Sequence, residues 1–230
     1  MKLGILGATS EEITPLLEYY KDYQTIDFGG NRYYQVRLGN AILTIAYSRI
    51  GKVHSALSAS SMHLHFGCEK IVFNGVAGGL NEKLKVGDLL LGTELCQHDA
   101  DITAFGHPHG FFSEGQIFYK TDKELNEVIK SAAADEGIIL NEGIIATGDQ
   151  FINSKEKKDW IKKEFKADVA EMEGASVAVV CHNLNVPLAV LRSISDSADE
   201  SAFSSYDEFL DFSSKQSAQL IIKAVEKLTK

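Results

Sequence analysis

Two stretches carry acid groups where a reaction could use them. Val169-Ala170-Glu171-Met172-Glu173-Gly174-Ala175 places two carboxylates one residue apart at the junction of a strand and a helix. About twenty residues later, Ser193-Ile194-Ser195-Asp196 ends an apolar run with a lone Asp among small residues. Apolar runs of that length between helical patterns read as buried parallel strands. In open α/β sheets the ligand crevice lies outside the carboxyl ends of the strands. Glu171, Glu173 and Asp196 are therefore expected to face one pocket, beside Arg192. A carboxylate at a strand end can equally cap a helix or sit in a solvated loop. The apolar or small neighbours Met172, Gly174, Ala175 and Ser195 favour a polar site in an apolar wall.

Other residues could join that site. Glu12 follows the first strand, at the same sheet edge. Gly75-Val76-Ala77-Gly78-Gly79 follows another strand, where glycines let backbone N–H groups approach a ligand or simply form a tight turn. It lacks the Lys-Ser/Thr ending of a phosphate loop and is not a dinucleotide fingerprint. Phe151, just past a strand end, is either core or a stacking platform for a flat ring. His63 and His65, His98, and His107-Pro108-His109 lack a third partner at helix-fixed spacing, so no metal site is expected. No Gly-x-Ser-x-Gly elbow is present.

The elements that must position these groups interleave strands and helices. Strands are expected at 2–8, 23–28, 33–38, 41–47, 70–74, 86–91, 137–147 and 187–194. Helices are expected at 16–20, or from Thr14-Pro15 if the proline occupies the first turn, and at 51–65, 121–136, 154–165 and 176–184. A last amphipathic helix should run from the capping-box spacing Ser205-Tyr206-Asp207-Glu208 to Leu228. The segment 96–116 is irregular. This pattern is α/β with a mixed sheet and an antiparallel patch near the start.

At 230 residues and 44% hydrophobic content, the chain can bury one sizeable core. A net charge of −9 without a basic stripe argues against nucleic acid as a partner. Cys68, Cys96 and Cys181 are odd in number and far apart, which fits packed thiols in a reducing cytoplasm. The apolar start is too short for a signal peptide, and no run approaches a membrane span.

Four motifs in order resemble the nucleoside phosphorylase/hydrolase superfamily. They are Gly75 to Gly79, Gly148-Asp149-x-Phe151-Ile152-Asn153, Val169-x-Glu171-Met172-Glu173 and Arg192-Ser193-Ile194-Ser195-Asp196. The match is nearest to its bacterial 5′-methylthioadenosine/S-adenosylhomocysteine nucleosidases and runs nearly end to end. Asp99-Ala100-Asp101-x-Thr103-Ala104-Phe105-Gly106 also matches.

The resemblance implies one α/β domain over 1–230, a three-layer sandwich with a central mixed sheet flanked by helices. It implies a cytoplasmic homodimer without cofactor or metal, acting on small adenosine nucleosides. Asp196 would protonate the departing adenine, and Glu12 would activate water with help from Arg192. Glu173 would hold the ribose hydroxyls with Met172 against the sugar. Phe151 would stack on the purine, and the Ile152 backbone would bond its edge. Val76, Ala77 and Gly78 would line the sugar site. Tyr206 would close over the 5′ substituent, and Phe105 would reach the partner subunit's pocket.

A carboxylate such as Glu12 beneath the sugar suits water and repels phosphate, which favours hydrolysis over phosphorolysis. A purine nucleoside phosphorylase and a nucleoside-binding protein are the competing readings. Thr9-Ser10, Val76 and His107 to Gly110 depart from the family pattern near the sugar or its 5′ tail. Methylthioadenosine, adenosylhomocysteine, 5′-deoxyadenosine and the aminofutalosine nucleoside of menaquinone synthesis therefore all stand as substrates.

Overall fold

Long apolar runs become the central strands because both faces of the sheet are covered by helices. A computed structural model describes residues 1–112 and 115–229; residues 113 and 114, within the segment read as irregular, lie outside it. The strands are β1 (Lys2–Gly7), β2 (Gln24–Phe28), β3 (Asn31–Leu38), β4 (Ala41–Tyr47), β5 (Lys70–Gly79), β6 (Leu89–Gln97), β7 (Phe118–Lys120), β8 (Leu140–Thr147), β9 (Val169–Glu171) and β10 (Leu188–Asp196). The helices are α1 (Ser10–Tyr20), α2 (Lys52–Leu64), α3 (Lys123–Asp135), α4 (Lys155–Phe165), α5 (Gly174–Leu184) and α6 (Ala202–Leu228). A single 3-10 turn spans Thr103–Phe105.

The sheet is mixed. β1 lies parallel between β4 and β5, and β2-β3-β4 form the antiparallel patch. At the other end the sheet curls on itself. β10 pairs with both β5 and β6, β6 continues to β8, and β9 bridges β8 back to β5. These five strands close a ring, which leaves them no free edge. Two apolar layers flank the sheet. Met62 of α2 and Val177 of α5 pack on one face; Leu16 of α1, Ile129 of α3 and Ile221 of α6 pack on the other. Cys68, Cys96 and Cys181 are buried free thiols within the core. Among the described residues no helix is long and apolar enough to cross a membrane.

Four expectations need correction. α1 starts at Ser10, not near Thr14, and carries Pro15 inside. There the proline forfeits one helical bond, to the carbonyl of the exposed Glu11, so the helix tolerates it. Gly75 to Gly79 is not a loop but the continuation of β5. α6 begins at Ala202, so Ser205 sits inside the helix and caps nothing. The strand expected at 86–91 runs instead from Leu89 to Gln97, preceded by a turn at Gly87 (φ 91°). The short strand β7 carried no legible signal.

Candidate active site

α1 follows β1 after only two residues, so the third helical residue, Glu12, folds back over the end of the strand. Its carboxylate accepts from Ala8 N (2.5 Å) and Thr9 N (3.1 Å) with Oε2, and from Val76 N of β5 (3.0 Å) with Oε1. The space for this comes from Gly75: a Cβ there would sit 2.7 Å from Glu12 Oε1 and 3.0 Å from Arg192 Nη1. Burial pushes the Glu12 carboxyl above the usual carboxylate range, against the nearby Arg192 charge and the three N–H donors.

Arg192 and Glu171 form a fully buried ion pair, Nη2 to Oε2 at 2.6 Å. Arg192 also lies over the Phe73 ring at 4.2 Å, and Nη1 reaches the Phe73 and Leu191 carbonyls. Glu171 takes further bonds from Gly174 N at the start of α5 (2.7 and 3.0 Å) and from the Thr147 hydroxyl. Glu171 therefore reaches the cavity wall, but its carboxylate is committed to the helix end and to Arg192. Arg192 makes no hydrogen bond to Glu12; its influence there is through charge alone. Removing either partner of such a pair leaves an uncompensated buried charge.

Glu173 occupies the position before α5 and turns into the cavity. Gly51 N donates to its Oε1 at 2.8 Å. That amide is placed by an unusual backbone. Arg49 is in the left-handed region (φ 76°), held by its Nη2 bond to Gly30 O (2.6 Å) and by the Ser48 hydroxyl on Arg49 O (2.7 Å). Burial, then the negative Glu171 and Glu12, push Glu173 up to about 8, against the Gly51 N–H and Arg192.

Asp196 ends β10 at an irregularity. Ile194 pairs with Ala77 and Asp196 with Gly78, so Ser195 is an extra residue that re-aims the aspartate. Gly78 makes room, since a Cβ there would lie 2.8 Å from Asp196 Oδ1. The carboxyl is 3% exposed. It accepts from Ala198 N (2.8 Å) and the Ser195 hydroxyl (2.8 Å). Burial raises it above the ordinary aspartate value despite those two donors.

These groups meet in one cavity of about 430 Å³. Glu12, Glu173 and Asp196 all reach it, with Val76, Ala77 and Gly78 as part of its lining. Met172, Phe151 and Tyr206 form apolar walls, the last two edge to face at 5.8 Å. Ile152 lies in a small adjoining recess beside Asp196. Thr9, Ile50 and Phe203 also line the cavity. Sequence reasoning did not find Ile50 or Phe203, because an isolated apolar residue in a loop or an exposed helical turn carries no pattern.

Phe105 is 81% exposed and does not line the cavity. His107 and His109 lie away from it too, packing on Phe111 and Trp160. A larger open dish of about 610 Å³ near Gly29, Gly30 and Arg49 gathers no group of buried acids.

Three buried acids around an apolar slot bounded by aromatic rings suit acid–base chemistry on a flat, neutral or cationic molecule. Residues 2–228 match the Phosphorylase superfamily. The chain belongs to that superfamily. Among its relatives, the Campylobacter jejuni (strain NCTC 11168) protein named aminodeoxyfutalosine nucleosidase is 53% identical over 228 residues, covering 99% of this chain and 100% of the relative.

Two solved Helicobacter pylori structures superpose with TM-scores of 0.97, each covering 99% of this chain and 98% of the other. One is the native futalosine hydrolase of strain 26695, at 50% identity. The other is 5′-methylthioadenosine/S-adenosylhomocysteine nucleosidase with butyl-thio-DADMe-Immucillin-A, at 51% identity. The superfamily takes its name from phosphorylases, whereas these relatives are named as a nucleosidase and a hydrolase, so the site must decide between phosphate and water.

Proposed function

We propose that this protein is an N-glycosyl hydrolase that cleaves 5′-substituted adenosines to adenine and the 5′-substituted ribose. The observation that carries this reading is the commitment of the donors a phosphate would need. Ala8 N, Thr9 N and Val76 N all point at Glu12, and the Arg192 guanidinium is paired with Glu171. Among the described residues, no Lys or Arg lines the cavity. Phosphate recognition relies on charge-assisted bonds from such groups, whereas water needs only a carboxylate to accept its proton.

In this mechanism Phe151 stacks on the purine, and the Ile152 backbone bonds the purine's edge. Asp196, whose hold on a proton burial strengthens, gives that proton to N7 as the C1′–N9 bond breaks. Water adds at C1′ and passes a proton to Glu12, which the Arg192 charge helps to hold ionised. Glu173 binds the ribose hydroxyls with Met172 against the sugar. In its carboxylate form Glu173 steadies the positive charge developing on the sugar, a charge present only in the transition state. The paired acid and base parallel those of sugar hydrolases. Each is worth on the order of 10²–10⁴ in rate.

The 5′ substituent lies toward Ile50, Phe203 and Tyr206. Relatives near 50% identity named aminodeoxyfutalosine nucleosidase favour that nucleoside as a principal substrate, with methylthioadenosine and adenosylhomocysteine also accepted. The working unit is a homodimer. α2 exposes Val53, Leu57 and Leu64 along one side, an apolar stripe suited to a second copy, and the exposed Phe105 is the residue this reading assigns to the partner's site. Three free thiols suit a reducing cytoplasm.

The test is base release from a panel of adenosines that differ only at the 5′ position, aminodeoxyfutalosine included. Release of adenine from several of them is expected. Tight binding of the panel with no release makes the protein a nucleoside binder and overturns the proposal.

A further inference from the structure

We propose that Asp99 is a positioning residue: with Lys52 and Asp149 it clasps the loop 148–153 to the amino end of α2 and so holds Phe151 over the cavity. This rests on reading Phe151 as the surface against which the base stacks.

α2 begins without a side-chain cap of its own, because Gly51 stands at the capping position. Its first N–H groups need acceptors from elsewhere. Two carboxylates from distant loops supply them. Gly51 N donates to Glu173 Oε1 and Lys52 N donates to Asp149 Oδ1, both at 2.8 Å. One helix end thereby ties the sugar-side acid to the loop that carries Phe151.

Asp99 closes this arrangement. Its Oδ1 accepts from Lys52 Nζ at 2.7 Å, and its Oδ2 accepts from Asp149 N at 2.9 Å. Lys52 Nζ is also held by Gln97 Oε1 at 3.2 Å. The three residues form a closed ring of bonds across α2, the segment after β6 and the segment after β8. The Lys52 and Asp99 side chains are 18% and 13% exposed, so water screens the pair less than a surface ion pair. Beneath the loop, Gly148 rests on the buried His98 ring; a Cβ on Gly148 would lie 2.4 Å from the imidazole.

Phe151 itself is 40% exposed, and among the described residues the one ring it meets is Tyr206. Its position therefore depends on how its loop is held, by the buried Ile152 beside it and by the clasp two residues upstream.

The test compares wild type, Asp99→Ala and Asp99→Asn by hydrogen exchange and by steady-state cleavage of 5′-methylthioadenosine. Exchange in 148–153 should speed at least about tenfold in Asp99→Ala while the α6 core keeps its protection, as expected for loss of a local restraint. KM should rise about fivefold or more, the effect of a misplaced aromatic platform, while kcat and its pH profile hold. Asp99→Asn should fall between.

Unchanged exchange in 148–153 overturns the clasp. So does loss of protection in α6 as well, which would make Asp99 a general structural residue. Faster loop exchange with an unmoved KM overturns the positioning role. In that case Phe151→Ala locates the fault: a raised KM leaves the stacking reading intact, and an unmoved KM removes it as well.

Discussion

Replacing Glu173 with Gln tests the electrostatics of the site through stability alone. In the folded protein burial and the adjacent acids raise this carboxyl from an ordinary 4.5 to about 8. Between those values the folded chain keeps a proton that the unfolded chain has released. Stability is therefore fully present below about pH 4.5 and is lost as pH rises through the folded value, at most about 1.4 kcal/mol per pH unit. For a chain of this size that slope is roughly 3–6 °C of Tm per pH unit. Gln keeps the size of the side chain and an oxygen for the Gly51 N–H, but it does not titrate. Thermal melts from pH 5 to 8 should show wild type falling more steeply than Glu173→Gln, with the two curves diverging as pH rises. Glu12 and Asp196 are raised as well, so the variant retains part of the slope. Parallel curves across the range would refute the reasoning.

Asp196→Asn should lower kcat by about 10²–10⁴ while 5′-methylthioadenosine still binds, measured by adenine release and by calorimetry. Gly75→Ala should cost about 1–3 kcal/mol by overpacking and cut activity, because the new Cβ displaces the Glu12 carboxylate; thermal melts and kinetics read both effects. Arg192→Met should destabilise by about 3–5 kcal/mol in denaturant titrations, since it leaves the Glu171 carboxylate buried and unpaired.

The convergence of Glu12, Glu173 and Asp196 was legible because each follows a strand and stands among small or apolar neighbours. The glycines of β5 misled for a physical reason. Glycine signals a turn when it supplies a positive φ, and here it supplies space: Gly75 lies under Glu12 and Arg192, and Gly78 under Asp196. Pro15 misled likewise, since a helix tolerates one missing bond at an exposed residue such as Glu11. The partner of Arg192 was not legible, because the sequence offers two acids, Glu12 and Glu171, and only the closed ring of strands selects one. Nor was the Lys52–Asp99–Asp149 clasp, whose members lie 47 to 97 residues apart.

The central claim is that water, not phosphate, attacks the sugar beside Glu12. Cleavage of 5′-methylthioadenosine, followed in phosphate-free buffer and then with phosphate added, tests it most directly when the sugar product is identified. Undiminished adenine release without phosphate, with free 5-methylthioribose at every phosphate concentration, is the predicted result. A rate that vanishes without phosphate, with the sugar recovered as its 1-phosphate, would contradict the account.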